Sequence, residues 1–200
     1  MSNYIFHAHD ISICSEYGSC TLLCTPHKCK IIATSDDNVI LYETEIIPLI
    51  YGNFNRNVII NIWDLISEYS VVELTNKNEF ILDNIYHITT HEVKDVMVSR
   101  IPGSVIITKI PKQLLDFKGE IVFEREQDKR DVFITLDCEK DIKIKLDTIY
   151  INGPPFETSI NSTYIHDYIS DDYIKIYLET CYPLCIEDGS NRTYIAPCQK

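Results

Sequence analysis

Residues 60–70 read I-N-I-W-D-L-I-S-E-Y-S, and residues 160–170 read I-N-S-T-Y-I-H-D-Y-I-S. Laid over each other without a gap, Ile60, Asn61, Leu65, Tyr69 and Ser70 meet Ile160, Asn161, Ile165, Ile169 and Ser170. An apolar run of strand character precedes each stretch, and another follows it, at residues 71–75 and 173–178. Self-similarity at a fixed offset marks one structural unit built twice. Halving a chain of 200 residues gives two units of about 100, a common domain size.

Both stretches carry apolar residues at helical spacing. Ile62, Leu65, Ile66 and Tyr69 share one stripe, as do Ile165, Tyr168 and Ile169, and Ser162 is the expected N-cap of the second helix. A third short helix is expected over residues 111–117, with Pro111 in its first turn. Its counterpart in the first half falls near residues 10–17, where the periodicity is poor.

Elsewhere period-two alternation rules. Cys20, Leu22 and Cys24 point one way and Thr21, Leu23 and Thr25 the other, and Lys143 and Lys145 alternate with Ile142, Ile144 and Leu146. Further strands are expected at 28–34, 39–46, 58–62, 121–124, 131–136, 142–146, 149–152, 173–178, 184–187 and 193–196. Ser35-Asp36-Asp37-Asn38 reads as a turn, and Pro154-Pro155 as a loop within the second half. The break falls at Ser99-Arg100-Ile101-Pro102-Gly103-Ser104. The expected fold is α+β: two similar domains of antiparallel sheet with short helices, spanning 1–98 and 105–200, joined by a connector at 99–104.

A net charge of −12 argues against a simple basic nucleic-acid binder, which needs clustered Lys and Arg. It leaves room for one basic face on an acidic remainder. Apolar runs fall short of the ~20 residues that cross a bilayer, and the start Met1-Ser2-Asn3-Tyr4 lacks a signal-peptide pattern, so an intracellular protein without membrane partners is expected. Eight cysteines and the sequons at Asn161 and Asn191 raise a secreted disulfide framework as a competing reading. Cysteine is also a common small core residue.

Cys20, Cys24, His27 and Cys29 raise a zinc site in a small regulatory factor. Zinc ligands usually come as one pair and then a second pair some distance away. Here all four crowd into two short strands, and Cys20 and Cys24 share a face with Leu22, as core residues do. Cys181 and Cys185 flank Tyr182-Pro183 in the same manner. The sequence holds neither a nucleophile elbow nor a phosphate loop, and its six histidines are scattered. No enzyme and no cofactor are expected. Lys109, Lys112 and Lys118 cluster around the third helix, with Arg125, Lys129 and Arg130 following. Lysines so spaced can track a phosphate backbone without reading bases.

The end of the chain adds a likeness. Ile174-Lys175-Ile176-Tyr177-Leu178, then Tyr182-Pro183-Leu184, then Thr193-Tyr194-Ile195-Ala196-Pro197 resembles the closing strands of the DNA sliding clamps, the PCNA superfamily, where a YPL strand precedes a YYLAP-like or YFIP-like ending. In the first half, Ser19-Cys20-Thr21-Leu22, Asn57-Val58-Ile59-Ile60, Val72-Glu73-Leu74-Thr75-Asn76-Lys77 and Thr89-Thr90-His91-Glu92-Val93, with a strand running on to Val98, resemble the Hus-type subunit of the heterotrimeric checkpoint clamp.

The resemblance implies a DNA clamp fold. It also implies a nuclear, non-enzymatic subunit of a three-part ring around double-stranded DNA, acting in damage signalling, repair and replication. Its partners would be two other clamp subunits, a clamp loader, and repair or checkpoint proteins. The alternative within the family is a PCNA-like homotrimer serving as a polymerase processivity factor. Helices line the hole in such rings, yet here residues 62–69 carry Asp64 and Glu68, and residues 162–169 carry Asp167. Lys109, Lys112 and Lys118 are then the DNA-facing candidates.

Overall fold

The computed structural model describes residues 2–12, 19–60, 68–94, 96, 100–137 and 142–198. The chain divides into two compact units, Met1–Val98 and Ser99–Lys200.

The first unit runs β1 (Tyr4–His7), a short helix α1 (Ala8–Ser12), β2 (Ser19–Thr25), β3 (Lys28–Thr34), β4 (Ile40–Ile46), β5 (Arg56–Ile60), β6 (Val71–Leu74), β7 (Glu79–Leu82) and β8 (Tyr86–Thr89). Its described residues form two antiparallel runs of four strands, ordered β1-β6-β7-β8 and β4-β3-β2-β5. A two-fold logic is visible. Each half of the unit sends its first strand to pair with the opening strand of the other half's meander, β1 with β6 and β5 with β2.

The second unit repeats the plan. It runs β9 (Ser104–Thr108), a 3-10 turn (Lys112–Leu114), β10 (Glu120–Arg125), β11 (Phe133–Leu136), β12 (Ile142–Lys145), β13 (Thr148–Asn152), β14 (Phe156–Asn161), a seven-residue 3-10 helix (Ser162–Tyr168), β15 (Ile174–Leu178), β16 (Leu184–Asp188) and β17 (Asn191–Ile195). Here β12-β11-β10-β14 form one run and β13-β9-β15-β16-β17 the other. Thus β9 pairs with β15 as β1 does with β6, and β14 pairs with β10 as β5 does with β2. The strand β13 is an addition along the free side of β9. In the first unit the same side of β1 meets a single bridge, Ile5 to Ile50.

The repeat that opens the sequence therefore has a structural meaning. Ile60 ends β5 opposite Cys20 of β2, and Ile160 lies near the end of β14 opposite Ile121 of β10. Both isoleucines are buried. Each unit packs its own core from the inward positions of these strands: Tyr4, Phe6, Leu22, Ile31, Val58 and Phe80 in the first, and Ile106, Phe123, Ile134, Ile165, Ile176 and Leu184 in the second. Alternation of buried and partly exposed residues along β5, β7, β9 and β11 is the period-two signal made solid.

Several expectations need correction. The third helix shrinks from 111–117 to one 3-10 turn, because Phe117 and Gly119 turn away to meet the later helix. Ser162 is not the N-cap. Asn161 is, its side chain accepting from the Thr163 amide, while the Ser162 hydroxyl is buried and bonded elsewhere. Of the strand expected to run on to Val98, the described part makes one bridge, Val58 to Glu92, while residues 95 and 97–98 lie outside the described residues. Of the helix expected over 62–69, residues 62–67 lie outside the described residues, and so do residues 13–17 of the one near 10–17.

Candidate nucleic-acid interface

In the second unit, two short helical segments are tied side by side by one buried hydroxyl. Ser162 Oγ donates to Phe117 O at 2.8 Å and accepts from the Gly119 amide at 3.2 Å, and the Ser162 amide donates to Gly119 O at 2.8 Å. His166 Nε2 lies 3.3 Å from the same Phe117 oxygen. The chain just after the turn Lys112–Leu114 is therefore held against the helix Ser162–Tyr168. Leu114 and Ile165 are the buried anchors beneath. Asn161 caps the helix, its Oδ1 accepting from the amide and the hydroxyl of Thr163 at 3.0 and 2.8 Å.

This surface carries little free positive charge. The helix Ser162–Tyr168 exposes Thr163 and Asp167, and no Lys or Arg lies along it. Lys112 is paired with Asp171 at 2.8 Å, and that contact holds the Asp171 carboxyl below the usual carboxylate range. Lys109, just past the end of β9, lies 3.9 Å from Asp147 and has its ammonium 4.5 Å from the centre of the Tyr173 ring. The Tyr173 hydroxyl in turn donates to Asp147 at 2.9 Å, which pushes its own ionisation upward. Lys118 is exposed and has no ionic partner among the described residues. Of the three lysines singled out by sequence, two face carboxylates and one is open.

The cysteines sort differently. Cys20, Cys24 and Cys29 are fully buried in the first unit's core, and Cys24 sits directly opposite Cys29 across β2 and β3. Burial first, and the neighbouring Cys29 second, push the Cys24 thiol well above its ordinary range. His27 is exposed on the hairpin turn. Among the described residues, no group of three or more His, Cys, Asp or Glu is placed to hold a metal ion. No helix among them is long and apolar enough to cross a membrane.

Sequence reasoning missed the clip at the start of the second unit. The Arg100 guanidinium grips Glu179 through both Nη atoms and stacks over the Tyr182 ring at 4.3 Å. Seventy-nine residues separate the pair, and no local pattern links them.

No family model matches the chain, and no curated protein does. Solved structures do. PCNA from A. fulgidus, determined with the C-terminal region of FEN-1, is 15% identical with a TM-score of 0.65, over 100% of this chain and 99% of that one. PCNA from Thermococcus kodakaraensis is 10% identical with a TM-score of 0.62, over 98% and 99%. The Helicobacter pylori beta clamp, bound to a DNA ligase peptide, is 11% identical with a TM-score of 0.69, over 100% of this chain and 67% of that one. With its paired antiparallel units and short helices, the chain has the DNA clamp fold.

Proposed function

We propose that the chain is one subunit of a ring-shaped DNA sliding clamp of the checkpoint type. Closed with two different subunits, the ring would act in the nucleus to tether repair and signalling proteins to double-stranded DNA. The clamp fold supports the ring, and the sparse charge of the helical surface supports the mixed composition. A homotrimer would present the same weak surface three times. Phosphate contact draws its strength from Lys and Arg that release counterions, and here Lys118 alone of the three candidates lacks an ionic partner among the described residues. A ring in which other subunits supply most of the charge suits this chain better. Its own work would be topological: closure supplies retention, so each phosphate contact can stay weak and the ring can slide.

Two open sheet edges fit that role. β8 and β12 end their four-strand runs, and both expose most of their residues, Ile142 at 52% and Tyr86 at 53%. An unpaired strand edge is a template for another chain, and pairing with neighbouring subunits would cover both. Native mass spectrometry of the isolated chain tests the composition. A monomer supports a subunit that needs unlike partners, and a homotrimer would favour the PCNA-like replicative clamp instead.

A further inference from the structure

Among the described residues, the strand β13 has no counterpart strand in the first unit, and its surroundings are chemically distinct. It forms the outer edge of its sheet and is paired only with β9 among the described residues. A register shift between Thr148 and Tyr150 leaves Ile149 as a bulge without a ladder partner on β9. Ile149 is 62% exposed and Tyr150 46%. Large apolar side chains on an open strand edge are what natural sheets normally avoid. Beside them runs a groove of about 450 Å³ whose other wall is Arg125, Lys129 and Arg130.

These three cations are unequally engaged. Lys129 is paired with Glu126, three residues away and itself well exposed. Arg125 donates through Nη2 to Gly153 O and lies over the Phe156 ring, while its buried Nε has no hydrogen-bond partner among the described residues. Arg130 is exposed and has no ionic partner among the described residues. In a chain of net charge −12, a groove of this sign is out of character and selects for negative charge.

From this juxtaposition we infer that β13 and its basic groove dock an extended acidic peptide, added as a further strand. The backbone of an incoming strand would take up the free donors and acceptors along β13. Alternate apolar side chains would cover Ile149 and Tyr150, and carboxylates between them would face Arg130 and Arg125. A nucleic-acid strand fits less well. It needs a continuous basic track, whereas Asp128 and Asp131 bracket Lys129 and Arg130, and a phosphate chain cannot satisfy a β-strand edge. The surface lies wholly within the second unit, so the inference stands apart from the ring proposed above.

Fluorescence anisotropy on the full chain tests it. The probes are a short labelled peptide alternating glutamate with valine and phenylalanine, the same peptide with lysine for glutamate, the acidic peptide N-methylated at alternate amides, and a labelled single-stranded oligonucleotide. The acidic peptide is expected to bind, and the lysine and N-methylated versions to bind about tenfold more weakly or not at all. Arg130→Glu, at an exposed position, should weaken the acidic peptide about tenfold while leaving the melting temperature unchanged. No binding, equal binding of the acidic and lysine peptides, tighter binding of the oligonucleotide, or an Arg130→Glu variant that binds as wild type would each overturn the inference.

Discussion

Arg100 and Glu179 meet through two parallel hydrogen bonds, Nη1 to Oε2 at 2.7 Å and Nη2 to Oε1 at 2.5 Å. The Gly103 amide adds a third, at 3.1 Å, to the same carboxylate. The strand β9 opens at Ser104, so this one carboxylate fixes how the chain enters the second unit. The forked geometry is specific to arginine. Arg100 holds the Glu179 carboxyl below its ordinary range, and the Gly103 amide helps. The folded state therefore binds that proton less readily than the unfolded chain, whose glutamates titrate at about 4.3. The clip contributes fully above that pH, fades as the pH falls below it, and is gone once the folded carboxyl is protonated. Thermal melts of wild type and Glu179→Gln should differ at neutral pH and converge in acid. A gap that persists at low pH would mean that Glu179 acts through packing alone.

Two glycines of positive φ separate backbone strain from crowding. Gly189 sits at φ +60 in the β16–β17 turn with open space around it, so Gly189→Ala should cost only the left-handed penalty, about 1 kcal/mol. At Gly153, φ is +110 and an added Cβ would lie 2.6 Å from Ser104 Cα and 2.7 Å from Gly103 O. Backbone cannot yield as a side-chain tip does, and Gly153→Ala should cost about 3 kcal/mol or more. Urea denaturation of the two variants reads the difference directly.

The cap and the residue after it should fail by different routes. Asn161→Ala removes the acceptor for the Thr163 amide at an exposed helix start, a loss of about 1 kcal/mol. Ser162→Ala strips a buried hydroxyl that serves both Phe117 and Gly119; Phe117 O keeps His166 beside it, but the Gly119 amide loses its acceptor, at about 1–3 kcal/mol. Hydrogen exchange at the Gly119 amide should rise in the second variant and stay unchanged in the first.

If the helical surface of the second unit does face DNA, the three lysines will not count equally. Lys118→Glu should lower the salt dependence of DNA binding by about one in log–log slope, the share of one phosphate contact. Lys112→Glu should do less, since Asp171 already neutralises that ammonium. Equal effects would show that the Asp171 pair opens on binding.

How much of this was legible beforehand depends on the range of the interactions. Hairpins read well, because register and turn are local. Ser35 to Ile40 closes through Ser35 N to Ile40 O, with Asn38 at positive φ, as the polar run between two β-branched stretches implied. The hundred-residue offset read well too, because Ile60 and Ile160 fill equivalent buried places in the corresponding strands β5 and β14. Residues 111–117 read too long, because apolar spacing does not reveal that Phe117 O will be claimed by Ser162, forty-five residues away. Ser162 looked like a cap for the same reason. Capping preference is local, and its burial against Gly119 is not. Lys109, Lys112 and Lys118 were visible as a cluster, whereas the carboxylates that meet two of them come from distant connections, Asp147 between β12 and β13 and Asp171 in the loop before β15. The groove beside β13 was legible only as the run Arg125, Lys129 and Arg130. Its apolar wall comes from a strand that the pattern could not pair with β9.

The central claim, that this chain helps to close a ring around DNA, is tested most directly by topology. The assembly recovered through a tag on the chain, loaded in extract from its source cells, is followed on a closed circular plasmid before and after a single double-strand cut. Retention on the circle and release on linearisation are the predicted result. Equal retention on circular and linear DNA would show binding by contact rather than by encirclement, and would contradict the account.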